Sequence, residues 1–220
     1  MKKIGVIGSG KVGEVLADGF LKHGHAVMRG SREPGKLAGW KAAATGEAST
    51  GTVAETAAFG EIVVLAVKGA GAEAALADAG LGNLAGKIVI DTTNPIADAP
   101  PNNGALSYFT GANESLIGRL QAQAPAARFV KAWNSIGAAV MVNPSLGATP
   151  SMFICGNDAA AKAEVGALLH TFGHEAVDVG GVELGYAVEA LCILWCAPGF
   201  LRNDWVHAFR YLPGLPGLPG

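Results

Sequence analysis

Hydrophobic positions along the chain follow two alternating periods. "KIGVIGSG" opens with a short apolar run that breaks at once into glycines, the pattern of a strand entering a turn. "KVGEVLADGFLKHG" follows with Val12, Val15, Leu16, Gly19 and Phe20 at helical spacing, and Gly24 is placed to end that helix. "HAVMRGS" returns to strand. "EPGKLAGWKAAA" reads as helix from Pro34 onward, "GEAST" as a short third strand, and Thr52 is placed to cap the helix "VAETAAFG". "EIVVLAVKG" is a continuous apolar run of strand length, which suits a parallel strand covered on both faces. "AEAALADAG" is helical, and "GKIVIDTTNP" is a further strand stopped by Pro95.

This βαβαβαβαβ alternation predicts an α/β protein with a doubly wound, Rossmann-type parallel sheet. The loop "IADAPPNNGALSYFTGANES" is long for a compact domain, so it is either functional or carries short helices. "SLIGRLQAQAP" reads as helix and "ARFVKAWNS" as a sixth strand. Two extra C-terminal strands, "PSMFICGN" and "HEAVDVGG", flank the helix "DAAAKAEVGALLHTFG". "VELGYAVEALCILWCAPGFLRNDWVHAFRYL" reads as helical and unusually apolar. The expected organisation is a Rossmann-type domain over 1–180, a smaller helical C-terminal portion over 181–212, and a disordered Leu-Pro-Gly tail over 213–220.

Composition narrows the function classes. The 220 residues are half hydrophobic, and only 15% are charged, against roughly a quarter in an average protein. A net charge of −2 gives no field to draw in nucleic acid or anionic lipid. Three cysteines cannot all pair, which points to reduced thiols in a cytoplasmic protein. The apolar stretch ending at Phe200 contains Glu189 and Pro198 and is shorter than the roughly 20 residues of a spanning helix, so no membrane partner is expected. Cys192 and Cys196 share a helix face without a nearby histidine, so core packing is expected there and no metal.

The chemistry begins at "GSGKVG". Gly8, Gly10 and Gly13 form GxGxxG between a strand and a helix, inside a βαβ unit of the right length for dinucleotide binding. Gly8 serves the turn, Gly10 the approach of a pyrophosphate and Gly13 the packing of helix on strand. About 20 residues on, an NAD site places Asp or Glu against the ribose. Here Ser31 and Arg32 stand instead, with Lys36 one helical turn further. A hydroxyl and a guanidinium suit a 2′-phosphate that a carboxylate would repel, so NADP is the expected cofactor. Glu33 weighs against this, since it can point inward in place of Arg32.

Polar clusters are expected beyond the carboxyl ends of later strands. Ala66, Val67 and Lys68 end the fourth strand, Asp91-Thr92-Thr93-Asn94 the fifth, and Lys131, Asn134 and Ser135 the sixth. Asp91 and the threonines either line the cleft or cap their turn. Lys131 is a candidate general acid or a clamp for an anion, the clamp being favoured because no tuning partner is visible. His207, between Trp205 and Phe209, is a second candidate that either reaches the cleft or belongs to an ordinary amphipathic helix. No catalytic residue is fixed by sequence.

"KIGVIGSGKVG", "GSREPGK", "VIDTTNPI", "KAWNSIGAAVMVNP" and "CILWCAPGFLRNDWVHAF" together resemble the NADP oxidoreductases of the coenzyme F420-dependent family. The resemblance implies that Ser31 and Arg32, with Lys36, hold the 2′-phosphate, and that Ser9, Gly10, Lys11 and Val12 cradle the pyrophosphate. It also implies a homodimer and hydride exchange with a deazaflavin. The pattern departs from the family after the fourth strand. Deazaflavin-using members carry a proline-aromatic pair there, whereas this chain has Lys68-Gly69. The small-molecule hydride partner is therefore left open between deazaflavin, flavin, quinone and a small carbonyl or imine, with a non-catalytic NADP sensor as a third reading.

Overall fold

The computed structural model describes residues 1–214, so the tail expected at 213–220 lies almost wholly outside the described residues. The chain runs β1 (Lys3–Ile7), α1 (Lys11–Lys22), β2 (Ala26–Gly30), α2 (Ala38–Ala43), β3 (Ala48–Gly51), α3 (Val53–Phe59), β4 (Ile62–Leu65), α4 (Ala72–Ala79), α5 (Leu81–Leu84) and β5 (Ile88–Asp91). It continues with α6 (Leu116–Gln123), β6 (Arg128–Lys131), β7 (Ser151–Ile154), α7 (Ala159–Thr171), β8 (Glu175–Asp178) and α8 (Gly185–Arg202). A 3₁₀ turn, Pro34–Leu37, leads into α2.

Six strands form one parallel sheet in the order β3-β2-β1-β4-β5-β6. This is the doubly wound order, which places the switch point at the β1–β4 boundary. Both faces are covered, so successive residues of one strand enter different cores. Ile62 and Val64 of β4 pack with Leu16 and Phe20 of α1, while Val63 and Leu65 pack with α3, α4 and α6. That double burial is why β4 reads as an unbroken apolar run.

Local signals specify several ends. Thr52 caps α3 in a reciprocal capping box with Glu55. Asp158 caps α7 through the Ala161 amide. Strands β7 and β8 pair in parallel as a separate small sheet, joined to the main one by an antiparallel bridge between Lys131 and Cys155. The loop after β5 folds back on itself through bridges Ile96–Tyr108 and Asn102–Ala105 and contains no helix.

The C-terminus differs from the sequence expectation. The helix ends at Arg202, not at Leu212, because Asn203 takes a left-handed conformation at φ 55°. The Trp205 ring then folds back onto Gly199, where a β-carbon would fall 2.3 Å from it. The following segment runs along β7, with the Ser151 amide donating to the Phe209 carbonyl at 2.9 Å. The apolar helical stretch is also longer than expected. Val182–Arg202 is 21 residues with mean hydropathy 1.6, long and apolar enough to cross a membrane by length and composition, and a third of it is buried in the fold.

Candidate dinucleotide site

The turn after β1 is shaped by close contacts. Gly8 has φ +145°, and a β-carbon on it would fall 2.1 Å from the Ala66 carbonyl oxygen, so no other residue fits. Gly13 brings α1 close, since a β-carbon there would sit 2.8 Å from the Gly8 carbonyl. Gly10 is the opposite case: a β-carbon would meet no protein atom within 4 Å. It is the N-cap of α1, and no side chain caps that helix. The first amides of α1 therefore have no capping side chain, and the positive end of the helix dipole stands behind them. An anionic pyrophosphate fits such a cradle.

One cleft of 390 Å³ gathers most of the sequence-predicted residues. Gly8, Ser9 and Gly10 form one part of its wall, Ser31, Arg32 and Lys36 a second, and Ala66, Val67 and Lys68 a third. Arg32 and Lys68 are exposed, so both cations are available to a phosphate. Glu33 also lines the cleft, and its carboxylate takes the Lys36 ammonium at 2.7 Å. That hydrogen bond holds the Glu33 carboxyl below the usual carboxylate range. Ser31 Oγ accepts from the Glu33 amide at 3.2 Å, which fixes the turn after β2.

Other predicted residues stand apart from the cleft wall. Lys11 points to Glu14 at 2.8 Å, and Val12 packs half-buried against the core. Asn94 exchanges both ends of its amide with Asn134: its Nδ2 donates to the Asn134 carbonyl at 2.7 Å, and its Oδ1 accepts from Asn134 Nδ2 at 3.1 Å. Its backbone packs against the turn after β4, where a β-carbon on Gly69 would fall 1.9 Å from the Asn94 carbonyl oxygen, and Asn94 is not part of the cleft wall.

Neither proton-donor candidate faces the cleft. Lys131 is fully buried, and its ammonium donates to Asp91 Oδ2 at 2.5 Å, Glu189 Oε1 at 2.8 Å and the Thr93 carbonyl at 2.8 Å. Burial opposes its charge, but the two carboxylates more than offset that and raise its pKa above the ordinary lysine value. The tuning partners that sequence did not reveal are Asp91 and, from α8, Glu189. Asp91 Oδ1 also accepts from the amide and hydroxyl of Thr93, so the polar turn caps itself. His207 stacks on Trp195 at 5.0 Å, and its Nε2 lies 3.0 Å from the Trp195 carbonyl.

Sequence reading missed Arg29, the single charged residue of β2. It is buried, and its Nη2 donates to the carbonyls of Gly8 and Gly10 at 3.2 Å each. The available signal was an arginine inside an apolar strand.

A parallel sheet of this order with an uncapped glycine turn and an Arg-Ser wall defines a dinucleotide-binding α/β protein. The description "NADP oxidoreductase coenzyme F420-dependent" matches residues 3–95. A solved structure from Arthrobacter sp. FB24, assigned as an F420-dependent NADP reductase, is 33% identical, covers 97% of this chain and 100% of its own, and superposes with a TM-score of 0.90. The chain belongs to the coenzyme F420-dependent NADP oxidoreductase family and is an NADP-dependent oxidoreductase with small-molecule reaction partners. Metalloreductase STEAP3 of Rattus norvegicus is 30% identical over 192 residues, 86% of this chain. This chain spans only 36% of that relative's length. A reductive aminase from Aspergillus terreus, solved with NADPH and ethyl-5-oxohexanoate, shares the fold at 19% identity and a TM-score of 0.66, over 92% of this chain and 63% of its own.

Proposed function

We propose that this chain binds NADP(H) across the cleft and exchanges a hydride with a ring acceptor of the deazaflavin or flavin class. In this reading Ser31 and Arg32 take the 2′-phosphate, with Lys36 shared between it and Glu33. The turn from Gly8 to Val12 takes the pyrophosphate, and Ala66, Val67 and Lys68 border the remainder. When bound, the nicotinamide supplies or accepts the hydride. The chain's own contribution is orientation: the closely packed Gly8–Ala66 contact and the uncapped start of α1 fix where the cofactor rests.

The observation that carries the choice of acceptor is the sealing of Lys131. Its three donor directions are spent on Asp91, Glu189 and Thr93 away from solvent, and His207 lies on Trp195 outside the cleft wall. Ring-to-ring transfer asks for positioning and no side-chain acid, whereas reduction of a small carbonyl or imine asks for a proton donor. The same reading takes the chain to be a cytoplasmic homodimer.

Following NADPH oxidation with a deazaflavin, free flavins, quinones and small carbonyls or imines tests the proposal. Turnover with a deazaflavin or flavin, and a rate nearly flat with pH, is expected. Turnover confined to carbonyls or imines would overturn the ring-acceptor reading, and no turnover with any acceptor would leave a sensor.

A further inference from the structure

We propose that Arg29 is a positioning residue for the cofactor's pyrophosphate, acting from behind the glycine turn; this rests on placing the pyrophosphate at that turn. A peptide unit is planar and trans, so its carbonyl and the next residue's N–H point in opposite directions. Arg29 Nη2 holds the Gly8 carbonyl at 3.2 Å, which turns the Ser9 amide away from the guanidinium. It holds the Gly10 carbonyl at the same 3.2 Å, which does the same for the Lys11 amide. One buried cation thereby sets the direction of two donors of the turn. The Gly10 carbonyl also accepts the Glu14 amide at 3.1 Å, so the brace extends into the first turn of α1.

Arg29 is itself fixed. Its guanidinium lies over the Trp40 ring at 5.0 Å, and the Trp40 indole donates to Asp18 at 2.7 Å. Burial lowers the Arg29 pKa against the attraction of Glu14 and Asp18, so the fold carries this charge at a cost. Its Nε has no hydrogen-bond partner, and no carboxylate lies within ion-pair distance among the described residues. An apolar side chain would fill the same position without that cost. A cation directly behind the turn gains its use when the turn holds a doubly negative group.

The test compares two ligands on the full chain. NADP⁺ contains the pyrophosphate; adenosine 2′-monophosphate lacks it and reads only the Ser31–Arg32 end. Arg29→Met is expected to weaken NADP⁺ about tenfold while moving adenosine 2′-monophosphate by less than about twofold. Arg29→Lys keeps the charge without the planar fork and is expected to fall between wild type and Met. Equal weakening of both ligands in Arg29→Met, or no change in either, overturns the proposal. If Arg29→Met does not fold, Arg29→Lys decides alone, and wild-type NADP⁺ affinity in it overturns the two-carbonyl brace. Failure of the underlying placement shows separately: Gly10→Val would then leave NADP⁺ affinity unaltered.

Discussion

The Lys131 ammonium lies 2.8 Å from the Glu189 carboxylate, and neither side chain reaches solvent. The contact joins the end of β6 to the second turn of α8, so it fastens the C-terminal helix to the sheet. Glu189 also accepts the Leu116 and Ile117 amides at 3.0 Å each, which ends α6 on a carboxylate at its positive pole. Glu189 makes three charge-assisted contacts, to the Lys131 ammonium and to the Leu116 and Ile117 amides, and a hydrogen bond to a charged group contributes about 1.5–3 kcal/mol. Glu189→Gln keeps the volume, leaves Lys131 paired with Asp91, and is expected to lower unfolding stability by about 3 kcal/mol. Denaturant titration measures this, and a loss below about 1 kcal/mol would show that the network does not hold α8 in place.

Arg32 stands exposed at the cleft, with no ion-pair partner among the described residues. NADPH is expected to bind at least about tenfold tighter than NADH, roughly 1.4 kcal/mol. Arg32→Ala is expected to remove most of that preference and to leave NADH nearly unchanged, because only the 2′-phosphate distinguishes the two. Titrating both cofactors against both proteins checks it. Equal losses for NADPH and NADH would move the 2′-phosphate away from Arg32.

His174 is fully buried, and its Nε2 lies 2.9 Å from the Met141 carbonyl while its Nδ1 has no partner. The neutral ring with the proton on Nε2 satisfies that geometry, and a second proton would be stranded. Burial accordingly lowers its pKa from the ordinary value, and burial lowers that of His25 as well. The unfolded chain then takes up protons that the folded one resists. Stability is complete above about pH 6.5 and falls as pH drops below it. The melting temperature is expected to drop between pH 7.5 and 5.5, and the drop should be smaller in His174→Gln. An identical drop in the variant would assign the dependence elsewhere.

What sequence disclosed here was local, and what it hid was tertiary. The β1 turn, the Thr52 cap and the doubly wound order follow from spacing and short motifs whose physical causes lie within a few residues. The Ser31–Arg32 wall was legible because its position relative to GxGxxG is set by one βαβ unit. Lys131 was visible as a polar residue at a strand end, but its partner Glu189 comes from a helix packed in by long-range folding, so a clamp and a buried tie looked alike. Arg29 was hidden for the same reason: its meaning lies in carbonyls of another segment. The end of α8 was missed because helical periodicity continues past Arg202, while Asn203 and the packing of Trp205 on Gly199 turn the chain back.

The apolar surface of α8 is only half used. Val188, Cys192 and Trp195 are buried against the domain, whereas Leu194 is 62% and Leu201 59% exposed on another side of the same helix. Leu194 and Leu201 are two turns apart, and Ala187 and Ala190 extend the exposed stripe towards the helix start. A surface helix ordinarily turns polar residues outward, so a leucine stripe in water is a face awaiting cover. A second copy of the chain covers it most simply, across a two-fold axis that sets the two stripes against each other. Burying one leucine contributes about 1.5–3 kcal/mol, so the four that a symmetric contact brings together offset a large part of the association cost. The purified protein is therefore expected to scatter light as a homodimer at micromolar concentration, and a monomer there refutes the pairing. Leu194→Glu places two carboxylates in the expected contact and should yield a folded monomer. A dimer that survives this change is built on another face.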